Sequence, residues 1–182
     1  MTRFCILAQL LLTLSTPVMA AELKVGEALP LLTFEDQNGK LHTLDGTLRF
    51  LVFAPGRAGS QIVTAAFAGQ TAATLQGRGI AYVADISGMP SLVASMFALP
   101  KMRKQPYPVL LGRKAADTAA LPREGNRVTV IGLQNGSVVS IVHVDTLAGL
   151  RKALELDVKA SGSPQSFPLA ALKSWEKSRI AQ

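Results

Sequence analysis

Residues 47–67 read TLRFLVFAPGRAGSQIVTAAF, and the fold turns on this stretch. Leu48 to Ala54 is a nearly unbroken apolar run, rich in aromatic and β-branched residues and interrupted only by Arg49. Such a run predicts a central strand covered on both faces, as in a parallel or mixed sheet with helices above and below. Pro55-Gly56 signals a turn. In Ser60–Ala73, Ile62, Val63, Ala66 and Phe67 recur at helical spacing, which predicts a helix. A strand, a tight loop and a helix set unpaired N–H groups and a partial positive charge beside the strand's carboxyl end. At that position this chain carries Gly56, Arg57, Gly59 and Ser60.

Toward the N-terminus, Met1-Thr2-Arg3 precedes a short apolar run, Phe4 to Leu14, and the small residues of Val18-Met19-Ala20. The pattern is that of a secretory signal peptide covering residues 1–20, with cleavage after Ala20. The run is too short to span a bilayer, so no transmembrane anchor is expected after cleavage. Cys5 lies before the apolar core, not at the cleavage point, which argues against lipid modification. Losing residues 1–20 removes the single cysteine of the chain. The mature protein then has no disulfide, no thiol nucleophile and no thiolate metal ligand.

About 160 residues remain, enough for one well-buried domain. The formal net charge is +7, from 19 Lys and Arg against 12 Asp and Glu. The cations are spread from Lys24 to Arg179, with one short cluster at Lys101, Arg103 and Lys104. That distribution reads as a solvated basic surface, and no nucleic-acid partner is expected.

Outward from the central strand, Asn38-Gly39 lies between two short runs with apolar residues and predicts a β-hairpin whose two central residues take positive φ. Gln76-Gly77-Arg78-Gly79 stops a helix, and Ile80–Ile86 reads as a second buried strand, parallel to the first through a right-handed crossover. Ser91–Leu99 predicts a helix with Leu92, Val93, Met96 and Phe97 on one face, ended or kinked by Pro100. Tyr107 to Leu111 is extended, and Lys114–Leu121 suits a helical turn or two. Val128–Leu133 and Ser137–Val144 flank Gln134-Asn135-Gly136, the strongest hairpin signal in the chain. Thr146–Leu156 closes the domain as a helix, with Leu147, Leu150 and Leu154 on one side and Arg151 and Lys152 on the other. The domain is expected over residues 21–158. Residues 159–182 hold the linker Ser161-Gly162-Ser163-Pro164 and a short C-terminal helix with Leu169, Leu172 and Trp175 on a stripe.

This order of elements resembles the thioredoxin-like superfamily, above all its redoxin and peroxiredoxin-like branch. Gly26–Pro30, Asp36-Gln37-Asn38-Gly39, Phe50-Leu51-Val52-Phe53, Asp85, Tyr107-Pro108-Val109 and Asn135-Gly136 carry the likeness. It implies an α/β three-layer sandwich with a central mixed β-sheet, preceded by an N-terminal hairpin. The chain departs from the family where chemistry is concerned. Where such an oxidoreductase carries Cys-x-x-Cys, this chain reads Arg57-Ala58-Gly59-Ser60; where the family has a cis-proline, it has Arg127 or Val128. Catalysis in the family needs a thiolate stabilised by the helix N-terminus. Arg cannot attack a disulfide, and an unassisted Ser hydroxyl is too weak an acid. The chain is therefore similar to small exported thioredoxin-like proteins of Gram-negative bacteria that lack the active-site cysteines.

Other chemistries have few candidates. His42 and His143 have no carboxylate or second histidine at ligand spacing in sequence, so no metal site and no cofactor are expected. Asp85 ends a strand, where α/β folds face their crevices, but it also suits a cap for the loop Ser87-Gly88-Met89-Pro90. Met89, Met96 and Met102 could suit a soft metal, though helical and loop methionines more often fill core. Gly77-Arg78-Gly79 follows a helix rather than a strand, so it is no dinucleotide fingerprint. The loop Gly56–Ser60 has the parts of an anion site, against the simpler account in which Ser60 is the helix N-cap and the glycines serve the turn. Two functions are expected in order. The first is a periplasmic binding or accessory protein gripping a protein, peptide or small anion through Gly56, Arg57, Gly59, Ser60, Asp85, Ser87 and Met89. The second is an enzyme with thiol-independent chemistry using Asp85, Arg57 and Ser60.

Overall fold

The computed structural model describes residues 21–156; the signal-peptide and C-terminal-helix expectations, and Cys5, lie outside them. Seven strands form one mixed sheet: β1 (Leu32–Asp36), β2 (Leu41–Leu44), β3 (Phe50–Ala54), β4 (Ile80–Asp85), β5 (Leu110–Gly112), β6 (Val128–Gln134) and β7 (Ser137–Val144). Their order across the sheet is β2-β1-β5-β4-β3-β6-β7. β3, β4 and β5 run parallel, and the flanking pairs are antiparallel. The predicted parallel pairing of β3 with β4 and both hairpins are therefore present, as is the α/β sandwich with its leading hairpin.

The run that opened the sequence reading sits inside the sheet, with Leu51 to Ala54 fully buried. Alternation along β3 sends Val52 and Ala54 to one face and Leu51 and Phe53 to the other. The first face carries the helices. They are α1 (Arg57–Ala66), α2 (Ala72–Gly77), a helical stretch made of α3 (Ser91–Val93), a π-helical turn (Ala94–Ala98) and α4 (Leu99–Met102), and α5 (Leu147–Ala153). Val63, Phe67, Leu75, Leu99, Leu150 and Leu154 fill this half of the core. Phe67 stands edge-on to Tyr82 and Tyr107, with ring centroids 6.0 and 5.4 Å away. Among the described residues the second face is covered without an α-helix: Leu23, Phe34, Leu44, Leu121 and Val138 close over Leu51 and Phe53. A single 3₁₀ turn, Ala115–Thr118, stands on the connection behind them.

Several boundaries differ from the sequence reading. The helix expected over Ser60–Ala73 starts three residues earlier, at Arg57, and stops at Ala66. Gly69 takes φ 78°, and the Thr71 side chain accepts the Thr74 N–H to start α2 separately. At the first hairpin only Gly39 has positive φ, not Asn38. Asp36 Oδ1 accepts the N–H groups of Asn38 (2.8 Å) and Lys40 (3.0 Å), so a side chain organises a four-residue loop there. Asn135 and Gly136, at φ 51° and 76°, form the expected two-residue turn.

Pro100 does not end its helix. It has no N–H to offer the Met96 carbonyl, and just before it the register widens, the Leu99 N–H bonding back to Ala94. The apolar residues read onto one face of that helix are not its buried face: Ala94 and Leu99 are, while Leu92, Val93, Met96 and Phe97 are exposed. On α5, Leu150 and Leu154 are buried as expected and Leu147 is exposed.

Candidate functional site

Three loops converge at one end of the sheet, and the strand registers say why. Ala54 pairs with Ala84 in parallel, so the segments after β3 and β4 leave from the same edge. Phe53 pairs with Thr129 in antiparallel β6, so the segment before β6 arrives there too. The segments 55–59, 85–90 and 122–127 are thus neighbours, and the first runs from the end of β3 into the first turn of α1.

Within the first loop the candidates have different fates. Gly56 caps α1 in extended backbone, φ 168°, without a side-chain cap. Ser60 is not the N-cap: it lies inside α1, and its hydroxyl donates to the Gly56 carbonyl at 2.9 Å. The same hydroxyl lies beside the buried Tyr82 phenol. Burial pushes that phenol well above its ordinary value, and the Ser60 hydroxyl opposes the rise. Gly59 is buried and serves packing. A β-carbon there would stand 3.3 Å from both Ala54 Cβ and Val128 Cγ2, and 3.4 Å from the Asn126 carbonyl oxygen. Arg57 alone of the four extends into solvent, and no hydrogen bond or ion pair engages its guanidinium among the described residues.

Asp85 ends β4 two residues after Val83, on the opposite sheet face from α1. Its Oδ1 accepts the Ser87 N–H at 2.8 Å, the loop-capping role read as the simpler alternative. Its Oδ2 lies 2.7 Å from Arg123 Nη1. The Arg123 guanidinium also donates to Thr118 Oγ1 at 2.5 Å and stacks 5.1 Å from the Phe53 ring centroid. Burial alone would raise the Asp85 pKa. The Ser87 hydrogen bonds and Arg123 outweigh it, holding the carboxyl below its ordinary value. Sequence reasoning missed Arg123, because nothing in its neighbourhood marks a partner so far along the chain. Ser87 is half-buried, and Met89 packs partly buried against the helical half of the core, as does Met102.

The histidines also acquire partners that spacing did not reveal. His42 Nε2 lies 2.9 Å from Asp36 Oδ2 across the first hairpin. His143 Nδ1 meets Thr129 Oγ1 at 3.0 Å, and its Nε2 is 3.8 Å from Glu124. Among the described residues no three His, Cys, Asp or Glu gather as a metal site. No helix among them is long and apolar enough to cross a membrane. At the slot where the resemblance implied a cis-proline, Arg127 pairs with Glu124 at 2.8 Å and Asp145 at 3.4 Å, and all described peptide bonds are trans.

The fold is thioredoxin-like. The structure is similar to a candidate thiol:disulfide interchange protein DsbE from Chlorobium tepidum, with a TM-score of 0.55 and 21% identity over 76% of this chain and 98% of that one. It is also similar to peroxidoxin BcpB from Mycobacterium tuberculosis, with a TM-score of 0.52 and 18% identity over 78% of this chain and 100% of that one. A candidate protein disulfide isomerase from Bacteroides thetaiotaomicron matches with a TM-score of 0.51 and 18% identity, over 76% of this chain and 91% of that one. No protein-family model matches the sequence, and no curated protein is similar to it.

Proposed function

We propose that the protein is exported to the periplasm of a Gram-negative bacterium and acts there as a thioredoxin-like binding or accessory protein without thiol redox activity. The observation that carries this reading is Arg57-Ala58-Gly59-Ser60 at the start of α1, directly after a buried central strand, in a chain with one cysteine. Thiol exchange needs a thiolate at that place, and a guanidinium with a hydroxyl supplies none. What the loop offers instead is an exposed cation at the positive end of a ten-residue helix, which suits a carboxylate, a small anion or an acidic peptide. The enzyme reading draws on Asp85, Arg57 and Ser60, and two of the three are engaged: Asp85 by Arg123 and Ser87, Ser60 by the Gly56 carbonyl.

Affinity capture from periplasmic extract, compared between wild type and Arg57→Ala, tests the proposal. The variant is expected to lose the captured partner with an unchanged melting temperature. Equal capture by the two proteins would reduce the loop to a turn.

A further inference from the structure

We infer that the helical stretch 91–102 is a docking surface for an anionic lipid bilayer. Leu92, Val93, Met96 and Phe97 are 67, 44, 59 and 62% exposed and adjacent on one helix, which makes them a contiguous apolar patch and not scattered surface residues. Only Ala94 and Leu99 of this stretch are buried, so the helix stands on the domain with most of its circumference in solvent. The π-helical turn at Ala94–Ala98 falls within the patch.

Charge identifies the occupant. From Ile86 to Ala116 the chain has no acidic residue, while Lys101, Arg103, Lys104, Arg113 and Lys114 all fall within it. Of these, Arg113 pairs with Glu35 at 3.3 Å, and the Arg103 Nε donates to the Gln37 carbonyl at 3.1 Å. Lys101 and Lys104 have no acidic partner among the described residues. Lys101 follows Phe97 by one helical turn and Lys104 stands two residues past the end of α4, so the stretch presents apolar side chains along its first part and ammonium groups at and just beyond its end. That combination lies in a bilayer interface, its apolar residues among the acyl chains and its cations at the phosphates. A second copy of this chain offers no acidic residue in the same stretch to answer these lysines. The segment 157–182 carries Lys159, Lys173, Lys177 and Arg179 against Asp157 and Glu176, so its net charge has the same sign as this cluster and does not complement it.

The test is co-sedimentation of the purified protein with vesicles of phosphatidylcholine alone or mixed with phosphatidylglycerol. Binding is expected only with phosphatidylglycerol, and it should weaken as salt is raised. Lys101→Gln and Lys104→Gln should each lower the partition coefficient about fivefold. The paired substitution Leu92→Ser/Phe97→Ser should lower it by about tenfold or more with an unchanged circular dichroism spectrum. Four results would each overturn the inference: no binding to phosphatidylglycerol vesicles, equal binding to phosphatidylcholine, binding that survives the paired substitution, or a concentration-dependent dimer that the substitution abolishes.

Discussion

The Asp85 carboxylate and the Arg123 guanidinium meet at 2.7 Å, with Asp85 buried at the carboxyl end of β4. The pair ties the connection before β6 to the end of β4, on the sheet face opposite α1. Arg123→Ala would leave a buried carboxylate without its counter-charge and expose the Phe53 ring beneath. We expect a loss of about 1–3 kcal/mol of stability in urea denaturation. Asp85→Asn should lose less, because the neutral amide can still accept from Ser87. An unchanged Arg123→Ala would mean that the ion pair contributes nothing to the fold.

Acid should destabilise the protein through two named carboxyls. For Asp36, burial acts to raise the pKa and is outweighed by His42 and the Lys40 and Asn38 N–H groups. Asp85 is likewise held below its ordinary 3.8 by Ser87 and Arg123 against the effect of burial. A carboxyl whose folded-state pKa is depressed stabilises the fold fully above its unfolded value, and that contribution is lost as pH falls through the folded one. The melting temperature should therefore fall as pH drops below about 4, with a shallower fall in Asp36→Asn and Asp85→Asn. Equal slopes in wild type and both variants would contradict this assignment.

Gln37 is buried in the first hairpin and replaces a missing piece of sheet. Its Nε2 donates to the Tyr107 carbonyl at 2.9 Å, and its Oε1 accepts the Val109 N–H at 2.7 Å. The two bonds flank Pro108, which has no N–H of its own. Gln37→Leu keeps the volume but strands two buried backbone groups, so about 2–4 kcal/mol of stability should be lost. Hydrogen exchange at Val109 should accelerate in the same variant.

The two glycines of the α1 loop should behave differently. Gly59→Val places side-chain atoms against Ala54, Val128 and the Asn126 backbone and should cost about 1–3 kcal/mol. Gly56→Ala should stay within about 0.5 kcal/mol of wild type, because its backbone is extended and the nearest atom to a β-carbon would be Asn126 Oδ1 at 3.9 Å. Thermal unfolding of the two variants separates a packing glycine from a permissive one.

Much of the fold was legible because the sheet is written in local signals. The apolar run at Leu48–Ala54 and the pair Asn135-Gly136 each dictate a backbone state almost irrespective of context. The break between α1 and α2 was readable in principle from Gly69 and Thr71, but the alanine-rich periodicity runs across it. The candidate site was less legible. That Ser60 lies inside the helix depends on where the first turn starts, and that Gly59 is packed depends on Val128 and Asn126 across the sheet. The ion pairs Asp85–Arg123 and Asp36–His42 are tertiary or hairpin juxtapositions, which ligand-spacing rules do not detect. The exposed face at Leu92–Phe97 was misread for a related reason: helical periodicity shows that residues share a side, not which side meets the core.

The central claim is that a thioredoxin-like sheet and helix here hold no thiol chemistry. Its most direct test is insulin reduction by the purified protein in the presence of dithiothreitol. The account predicts a precipitation lag indistinguishable from that of dithiothreitol alone. A lag shortened in proportion to protein concentration would contradict it.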